Sequence, residues 1–148
     1  MIMSLDNLVG ISLERVEPDI SVVQRMLKSA ERNIADSHVM QVSSETRFDA
    51  AYKAIMQLSS VSLHANGYRT LTSKPGHHQT MIQVLSQTIA LEQAEVIVLD
   101  ALRKQRNDSD YSAHIVPDSA VEACIKHAEA LLIDVKHWLK EHKPELLV

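Results

Sequence analysis

Apolar residues recur every three or four positions along most of this chain, a spacing that places them on one face of an α-helix. The clearest run follows Asp19, a predicted N-cap, and reaches about His38. Its apolar positions are Ile20, Val23, Leu27, Ala30 and Ile34. A β-sandwich or barrel needs many tight turns and aromatic strand residues, whereas this chain has 3 Gly, 4 Pro and 3% aromatic residues. The sequence therefore predicts an all-α protein, an up-and-down bundle of four to five helices.

The length and charge limit the organisation and the partners. A chain of 148 residues is the size of one domain, so a single helical domain over 1–148 is expected, with 1–17 as a short N-terminal helix or arm ended by Pro18. The formal net charge of -4 gives no general attraction for nucleic acid or anionic membranes. Any contact with phosphate must therefore come from a local cluster.

The central part of the chain predicts a second, more buried helix. It begins at Ser43 or Ser44, ends at Ala65, and is closed by Asn66-Gly67. Its apolar positions go most of the way round, which is typical of a helix packed on several sides. A loop is expected from Tyr68 to His78, because this stretch is rich in turn-forming residues.

Further helices are predicted in the second half of the chain. The pattern of the fourth helix runs from Met81 to Ile89, and whether it continues into the fifth is left open. The last helix is introduced by Pro117 and Asp118 and ends before Pro144. Ser119 and Glu122 have the spacing of a capping box, which fixes its expected start.

The same sequence features predict a cytoplasmic protein. Cys124 is the only cysteine, so no internal disulfide can form, and it lies on the predicted core stripe of the last helix. The start of the chain lacks a basic segment followed by an apolar run. No stretch approaches 18 apolar residues, so no membrane span is expected.

The densest polar cluster lies at the C-terminal end of the fifth helix. Arg103 and Arg106 share a helix face with Val96 and Leu99. The core stripe is predicted on a different face, formed by Ala94, Ile97, Ala101 and Leu102. An apolar face carrying arginines suits a subunit or partner interface that also holds an anion, because guanidinium binds phosphate bidentately.

An alternative interpretation needs no ligand. Arg106 can pair with Asp110, and Asp100 with Lys104, each four positions apart. Each pair would contribute roughly 0.2–0.5 kcal/mol to a solvent-exposed helix end. Spacing alone favours this interpretation.

The segment from Arg106 to Tyr111, with the sequence RNDSDY, resembles the Arg-Asn signature of the HEPN family of small helical-bundle proteins. Three upstream segments are similar to family members in the same order: 48–55, 66–69 and 76–78. The resemblance covers a core over 43–142. It implies a bundle of four to five helices, usually a homodimer in which two Arg motifs face one cleft.

The nuclease members of this family cut RNA without metal, and their motif places a His after the Arg. Here that position holds Tyr111. A phenol with an ordinary pKa near 10 is about one part in a thousand ionised at pH 7, so it is a poor general base. His114 lies outside the family spacing.

HEPN proteins are often encoded with a nucleotidyltransferase, as a toxin and antitoxin pair or as a substrate-binding subunit, and this role needs no His. The resemblance thus implies a nucleotide- or RNA-binding module whose partner is a nucleotidyltransferase. Arg106 would contact phosphate with help from Arg103 and Asn107, and Tyr111 would accept nucleotides or stack on a base. Arg106 and Tyr111 are the candidate catalytic residues.

Other residues are weaker candidates. Tyr68 and Arg69 follow the central helix and would help to line a nucleotide pocket, although a contact at the helix end is the simpler interpretation. His77 and His78 are adjacent, but no third metal ligand is evident, so no metal site and no cofactor are predicted. Two alternatives remain: a metal-independent ribonuclease in which Tyr111 or His114 replaces the missing base, and a helical scaffold that binds only protein.

Overall fold

Most of the described chain is helical. The structure, a computed structural model, describes residues 4–112 and 116–148, with the backbone alone for 109–112. Its elements are β1 (Leu13–Arg15), α1 (Ile20–Ser37), α2 (Ser44–Ala65), β2 (Tyr68–Thr70), α3 (His77–Gln83), α4 (Leu85–Thr88), α5 (Gln93–Ser112) and α6 (Asp118–His142), with 3₁₀ turns at Leu5–Leu8 and Pro144–Leu146. The predicted all-α helical bundle is confirmed.

The first two long helices begin and end where the sequence predicts. The Asp19 carboxylate accepts a 2.8 Å hydrogen bond from the Ser21 N–H at the start of α1. The Ser43 hydroxyl accepts from the Thr46 N–H, 3.2 Å away, at the start of α2. Gly67, with φ at 90°, provides the left-handed residue after α2.

Helix α2 is central, as predicted. It packs against α1, α3, α5 and α6, and residues on nearly all of its sides are buried. The buried guanidinium of Arg47, in the first turn of α2, joins three helices. The Arg47 Nε donates to the Ser37 carbonyl at the end of α1 (2.8 Å), and its Nη2 donates to the Glu122 carboxylate of α6 (3.2 Å).

The N-terminal segment differs from the prediction. Instead of a short helix that continues toward Pro18, it forms a 3₁₀ turn and then β1, which pairs antiparallel with β2 so that Leu13 lies opposite Thr70. Part of the predicted loop is therefore a strand. Three-residue strands leave no periodic signal in a sequence, and this pairing joins segments that are far apart along the chain.

The fourth and fifth predicted helices are separate. Helix α3 ends at Gln83 and α4 at Thr88, and α5 begins at Gln93. Between α4 and α5, Ala90 has a φ of 56°, a left-handed conformation that interrupts helical geometry. Because of the left-handed residue Ala90, α5 does not continue the axis of α4.

The predicted capping box of the last helix is wrong. Pro117 is the N-cap of α6 and provides no capping side chain, and Ser119 lies inside the helix. Glu122 bonds to Arg47 instead of to a backbone N–H. The helix ends at His142, ahead of Pro144, as predicted.

The predicted core face of α5 is also wrong. Val96 and Leu99, which share the arginine face, are 2% and 0% exposed, whereas Ile97 is 61% exposed. Ala94 and Ala101 are exposed as well, and of the predicted stripe only Leu102 is buried. Both faces carry apolar residues at helical spacing, so the pattern could not distinguish them. The arginine face is turned toward the rest of its own chain, where α2 provides polar partners.

None of the helices in the described part of the chain has both the length and the apolar character needed to cross a membrane.

Candidate phosphate-binding site

Polar side chains from three helices meet at the C-terminal half of α5. The group consists of Asp49 and Tyr52 from α2, His78 from α3, and Arg103 and Arg106 from α5, and is called here the three-helix cluster. Asp49 and Tyr52 are three positions apart, which places them on the same side of α2. The buried positions Val96 and Leu99 turn the arginine face of α5 toward them.

Arg106 lies between an aromatic ring and a carboxylate. Its guanidinium carbon is 5.2 Å from the centroid of the Tyr52 ring, within the range of a cation–π interaction. Its Nε is 3.6 Å from Oδ1 of Asp49, and its side chain is 32% exposed. The guanidinium is thus oriented by α2 and still reaches solvent.

Arg103 is held more tightly than Arg106. Its Nε donates a 2.8 Å hydrogen bond to Oδ1 of Asp100, and its side chain is 14% exposed. The other oxygen of Asp100 is 3.6 Å from Nζ of Lys104, which confirms the predicted pair four positions apart. Arg103 therefore contributes positive charge from a fixed position, and Arg106 is better placed to contact a ligand.

Tyr52 and His78 form a hydrogen-bonded pair beneath the arginines. The Tyr52 hydroxyl is 3.2 Å from Nδ1 of His78, and the ring is 3% exposed. Burial raises the pKa of Tyr52 to about 12, although the charges of Arg106 and Arg103 act in the opposite direction. At neutral pH the phenol is therefore protonated.

The environment of His78 favours a neutral imidazole. Burial lowers its pKa below the usual 6.5, and the charges of His77, Arg106 and Arg103 lower it further. A neutral imidazole has one nitrogen that donates and one that accepts, so it can take up a proton at pH 7.

The sequence analysis did not link His78 to the arginines. It is the second residue of α3, two positions after Gly76, whose φ of 78° makes the turn into the helix, and its ring contacts that of His77 edge-on at 4.6 Å. Its partner Tyr52 is 26 positions away. Within the described residues, no three metal-ligating side chains come together, here or elsewhere. The sequence places His78 in the HEPN-like segment 76–78 and beside His77 as a weak metal-ligand candidate, and neither signal links it to Tyr52 or Arg106.

Tyr68 and Arg69 have structural partners on the N-terminal segment. The Tyr68 hydroxyl donates to the Asp6 carboxylate, which also pairs with Arg15 at 2.9 Å. The side chain of Arg69 pairs with Glu14 on the neighbouring strand. These contacts hold β2 against β1 and the N-terminal segment. They do not make Tyr68 or Arg69 part of the three-helix cluster.

The residues at the C-terminal end of α2, His64 and Asn66, also make structural hydrogen bonds. Nε2 of His64 accepts a 2.8 Å hydrogen bond from the Asp19 N–H, at the start of α1. The Asn66 amide donates to the carbonyls of Ser62 (2.7 Å) and Thr88 (3.1 Å). Asn66 thus bonds at the end of α2, which it was predicted to close, whereas His64 binds the residue that precedes α1.

The rest of the Arg-Asn signature continues along α5. Asn107 is half-buried and follows Arg106 directly. Tyr111 lies within α5, but its side chain and that of Asp110 lie outside the described part of the structure, as does all of His114. The predicted Arg106–Asp110 pair and the role of Tyr111 remain predictions.

Comparison with known proteins found no matching family model and no significantly similar curated protein. The HEPN resemblance therefore rests on the four sequence segments.

Proposed function

We propose that this protein is a HEPN-like module that binds RNA or a nucleotide through the three-helix cluster and acts beside a nucleotidyltransferase, as part of a toxin and antitoxin pair or as a substrate-binding subunit. The observation that carries this proposal is the position of Arg106. Its guanidinium is oriented by Tyr52, partly open to solvent, and close to a second arginine.

Phosphate can compete with the present carboxylate partner of Arg106. Asp49 is half exposed and lies 3.6 Å from Nε of Arg106, which is too far for a strong hydrogen bond. Exposed ion pairs of this kind contribute about 0–1 kcal/mol. A phosphate group can accept two parallel hydrogen bonds from one guanidinium, and a hydrogen bond to a charged group contributes about 1.5–3 kcal/mol.

As the partner of a nucleotidyltransferase, this protein would accept a nucleotide on Tyr111. In a nucleotidyl transfer its phenol oxygen would attack the α-phosphorus of ATP bound to the partner, with loss of pyrophosphate and of the phenol proton. Tyr52 is a poor acceptor because it is 3% exposed. Homodimerisation, with two Arg motifs facing one cleft, belongs to the same proposal.

The test of ligand binding is fluorescence anisotropy with labelled single-stranded RNA and with ATP, in EDTA and at several salt concentrations. Arg106→Ala should weaken binding about tenfold or more, since it removes a charged hydrogen-bonding group. Lys104→Ala is the matched control, because it removes the same charge from a side chain that is 68% exposed on the same helix. Equal affinities for the two variants, or no binding by the wild type, would overturn the proposal.

The partner role has its own test. After incubation with a cognate nucleotidyltransferase and with ATP, intact mass should show a nucleotide adduct that Tyr111→Phe abolishes and Tyr68→Phe retains. Absence of an adduct, or an adduct on Tyr111→Phe, would exclude the acceptor role.

A further inference from the structure

We propose that the groove between α6 and the start of α5 binds a small organic polycation of the polyamine class, in which ammonium groups are separated by short methylene chains. The groove has a volume of about 560 Å³. Residues of 126–142 on α6 form one wall, and residues of 89–95 form the other. The groove shares no residue with the three-helix cluster, so this inference is independent of the proposed binding of phosphate at Arg106.

Carboxylates outnumber cations in the lining of the groove. Four acidic residues, Glu92, Glu95, Asp134 and Glu141, stand against a single lysine, Lys126. In the part of the chain that the structure describes, the side chains of Glu92 and Asp134 have no hydrogen-bond or ion-pair partner. The groove therefore has an excess of negative charge that its own residues do not neutralise.

Asp134 is the carboxylate for which a bound cation would matter most. Partial burial and the negative charge of Glu95, on the opposite wall, raise its pKa, and His137 acts in the opposite direction. Glu95 already has a partner, because Nδ1 of His127 is 2.6 Å from its Oε1. Glu141 pairs with Nε2 of His137 at 3.1 Å. A positive charge within about 4–6 Å of a carboxylate favours its ionised form, so a ligand ammonium would relieve the unfavourable environment of Asp134.

The remaining lining is apolar and aromatic. Trp138 is half-buried against the core and lines the groove together with Ile89 and Leu91. Its ring stacks on that of His142, with 4.7 Å between the centroids and 14° between the planes, which orients the indole. An indole attracts cations to its face, and apolar surface favours the burial of methylene groups. Carboxylates interspersed with apolar surface match a ligand in which ammonium groups and methylenes alternate.

The spacing of the acidic residues favours an extended ligand over a metal ion. Asp134 and Glu141 are seven positions apart on one side of α6, or about 10 Å along its axis, too far to share one ion. No three metal-ligating side chains come together anywhere in the described ranges. An aliphatic chain with several ammonium groups can contact both carboxylates at once.

The groove contains its own reporter. Trp138 is the only tryptophan of the chain, so its fluorescence follows events at this site. Spermidine titrated at low salt and pH 8 should change the emission in a saturable way, and calorimetry should give one site per chain. Added NaCl should weaken binding through screening. Mg²⁺ at the same total charge should give no saturable change.

Two diamines of equal charge separate groove binding from general attraction. 1,6-Diaminohexane should bind about tenfold or more tightly than 1,3-diaminopropane, because its additional methylenes are buried against the apolar lining. Attraction by charge alone would give the two diamines similar affinities.

A pair of variants places the site on α6. Asp134→Asn should raise the Kd for spermidine about two- to fivefold. Glu129→Gln is the matched control, because it removes the same charge from a side chain of α6 that is 51% exposed and lies outside the groove. Arg106→Ala should leave the affinity for spermidine unchanged, and thermal melts verify that the variants are folded.

No saturable response to spermidine, equal affinities for the two diamines, or equal effects of Asp134→Asn and Glu129→Gln would overturn this inference. It would also be overturned if Trp138 emission changed with protein concentration in the absence of amine, since a second copy of the chain would then cover the groove. RNA binding at Arg106 is measured separately and does not depend on any of these results.

Discussion

The guanidinium of Arg106 lies over the ring of Tyr52, with 5.2 Å between the guanidinium carbon and the ring centroid. This contact joins the Arg-Asn signature on α5 to the central helix. It holds against α2 a group that the sequence alone would place on a solvent-exposed helix end. The orientation matters because bidentate binding of phosphate depends on the direction of the planar guanidinium.

Replacing the ring under Arg106 should weaken RNA binding, whereas removing its hydroxyl should not. A cation–π contact is worth about 0.5–2 kcal/mol, so Tyr52→Leu should raise the Kd for RNA roughly 2- to 30-fold. Tyr52→Phe keeps the ring and serves as the control. Fluorescence anisotropy gives the affinities, and thermal melts verify that both variants are folded. Equal affinities for the Leu and Phe variants would show that the stacking does not contribute.

Removing the carboxylate beside Arg106 should strengthen RNA binding. Asp49 lies 3.6 Å from Nε of Arg106 and adds negative charge where phosphate would bind. Asp49→Asn should therefore lower the Kd several-fold at low salt, with a smaller effect at high salt because of screening. Asp36→Asn makes the same change in net charge on an exposed residue of α1. An equal gain from both variants would indicate a general charge effect instead of a local site.

The buried Arg47 should be important for stability. It satisfies the Ser37 carbonyl and bonds to Glu122, and its side chain is 7% exposed. Arg47→Ala would leave a cavity and an unpaired buried carbonyl, so unfolding in urea should show a loss of about 3 kcal/mol. Glu122→Gln should cost less than about 1 kcal/mol, because Glu122 is 65% exposed and the amide oxygen can still accept. Similar losses for the two variants would contradict this account of the contact.

Cys124 should be unreactive in the native protein. It is fully buried on α6, and burial raises the pKa of its thiol to about 12, so very little thiolate exists at pH 8. A thiol reagent should label the protein slowly in buffer and stoichiometrically in urea. Fast labelling of the native state would show that the last helix does not pack as described.

Much of the fold follows from local sequence signals. Asp19 and Ser43 cap α1 and α2, and Gly67 closes α2, because side-chain caps and left-handed residues act within a few positions. The strands at 13–15 and 68–70 could not be predicted, since each is short and depends on pairing with a distant segment. The capping box at Ser119 did not form, because Pro117 instead of Ser119 is the N-cap residue and Glu122 accepts from Arg47.

Only part of the candidate site could be predicted from the sequence. The spacing of Arg103 and Arg106 and the HEPN resemblance indicate both arginines as candidate site residues. The sequence pattern, however, places the core on a different face of α5 from the one that carries them. His78 could not be linked to them, because its proximity is created by the packing of α3 and α5 against α2. Tyr68 and Arg69 look like ligand-binding residues in the sequence, but Asp6 and Glu14 provide their partners from the N-terminal segment.

The most direct test of the account is an NMR titration of the histidine side chains, with and without a bound single-stranded oligonucleotide. In the free protein His78 should titrate below pH 6.5, because burial and the nearby cations disfavour its charged form. Arg106→Ala should move this midpoint upward, since one of those cations is removed. Binding should also raise the midpoint in the wild type, because a phosphate at Arg106 adds negative charge near the ring. An oligonucleotide that binds without affecting His78, or a midpoint insensitive to Arg106, would contradict the three-helix cluster as the phosphate site.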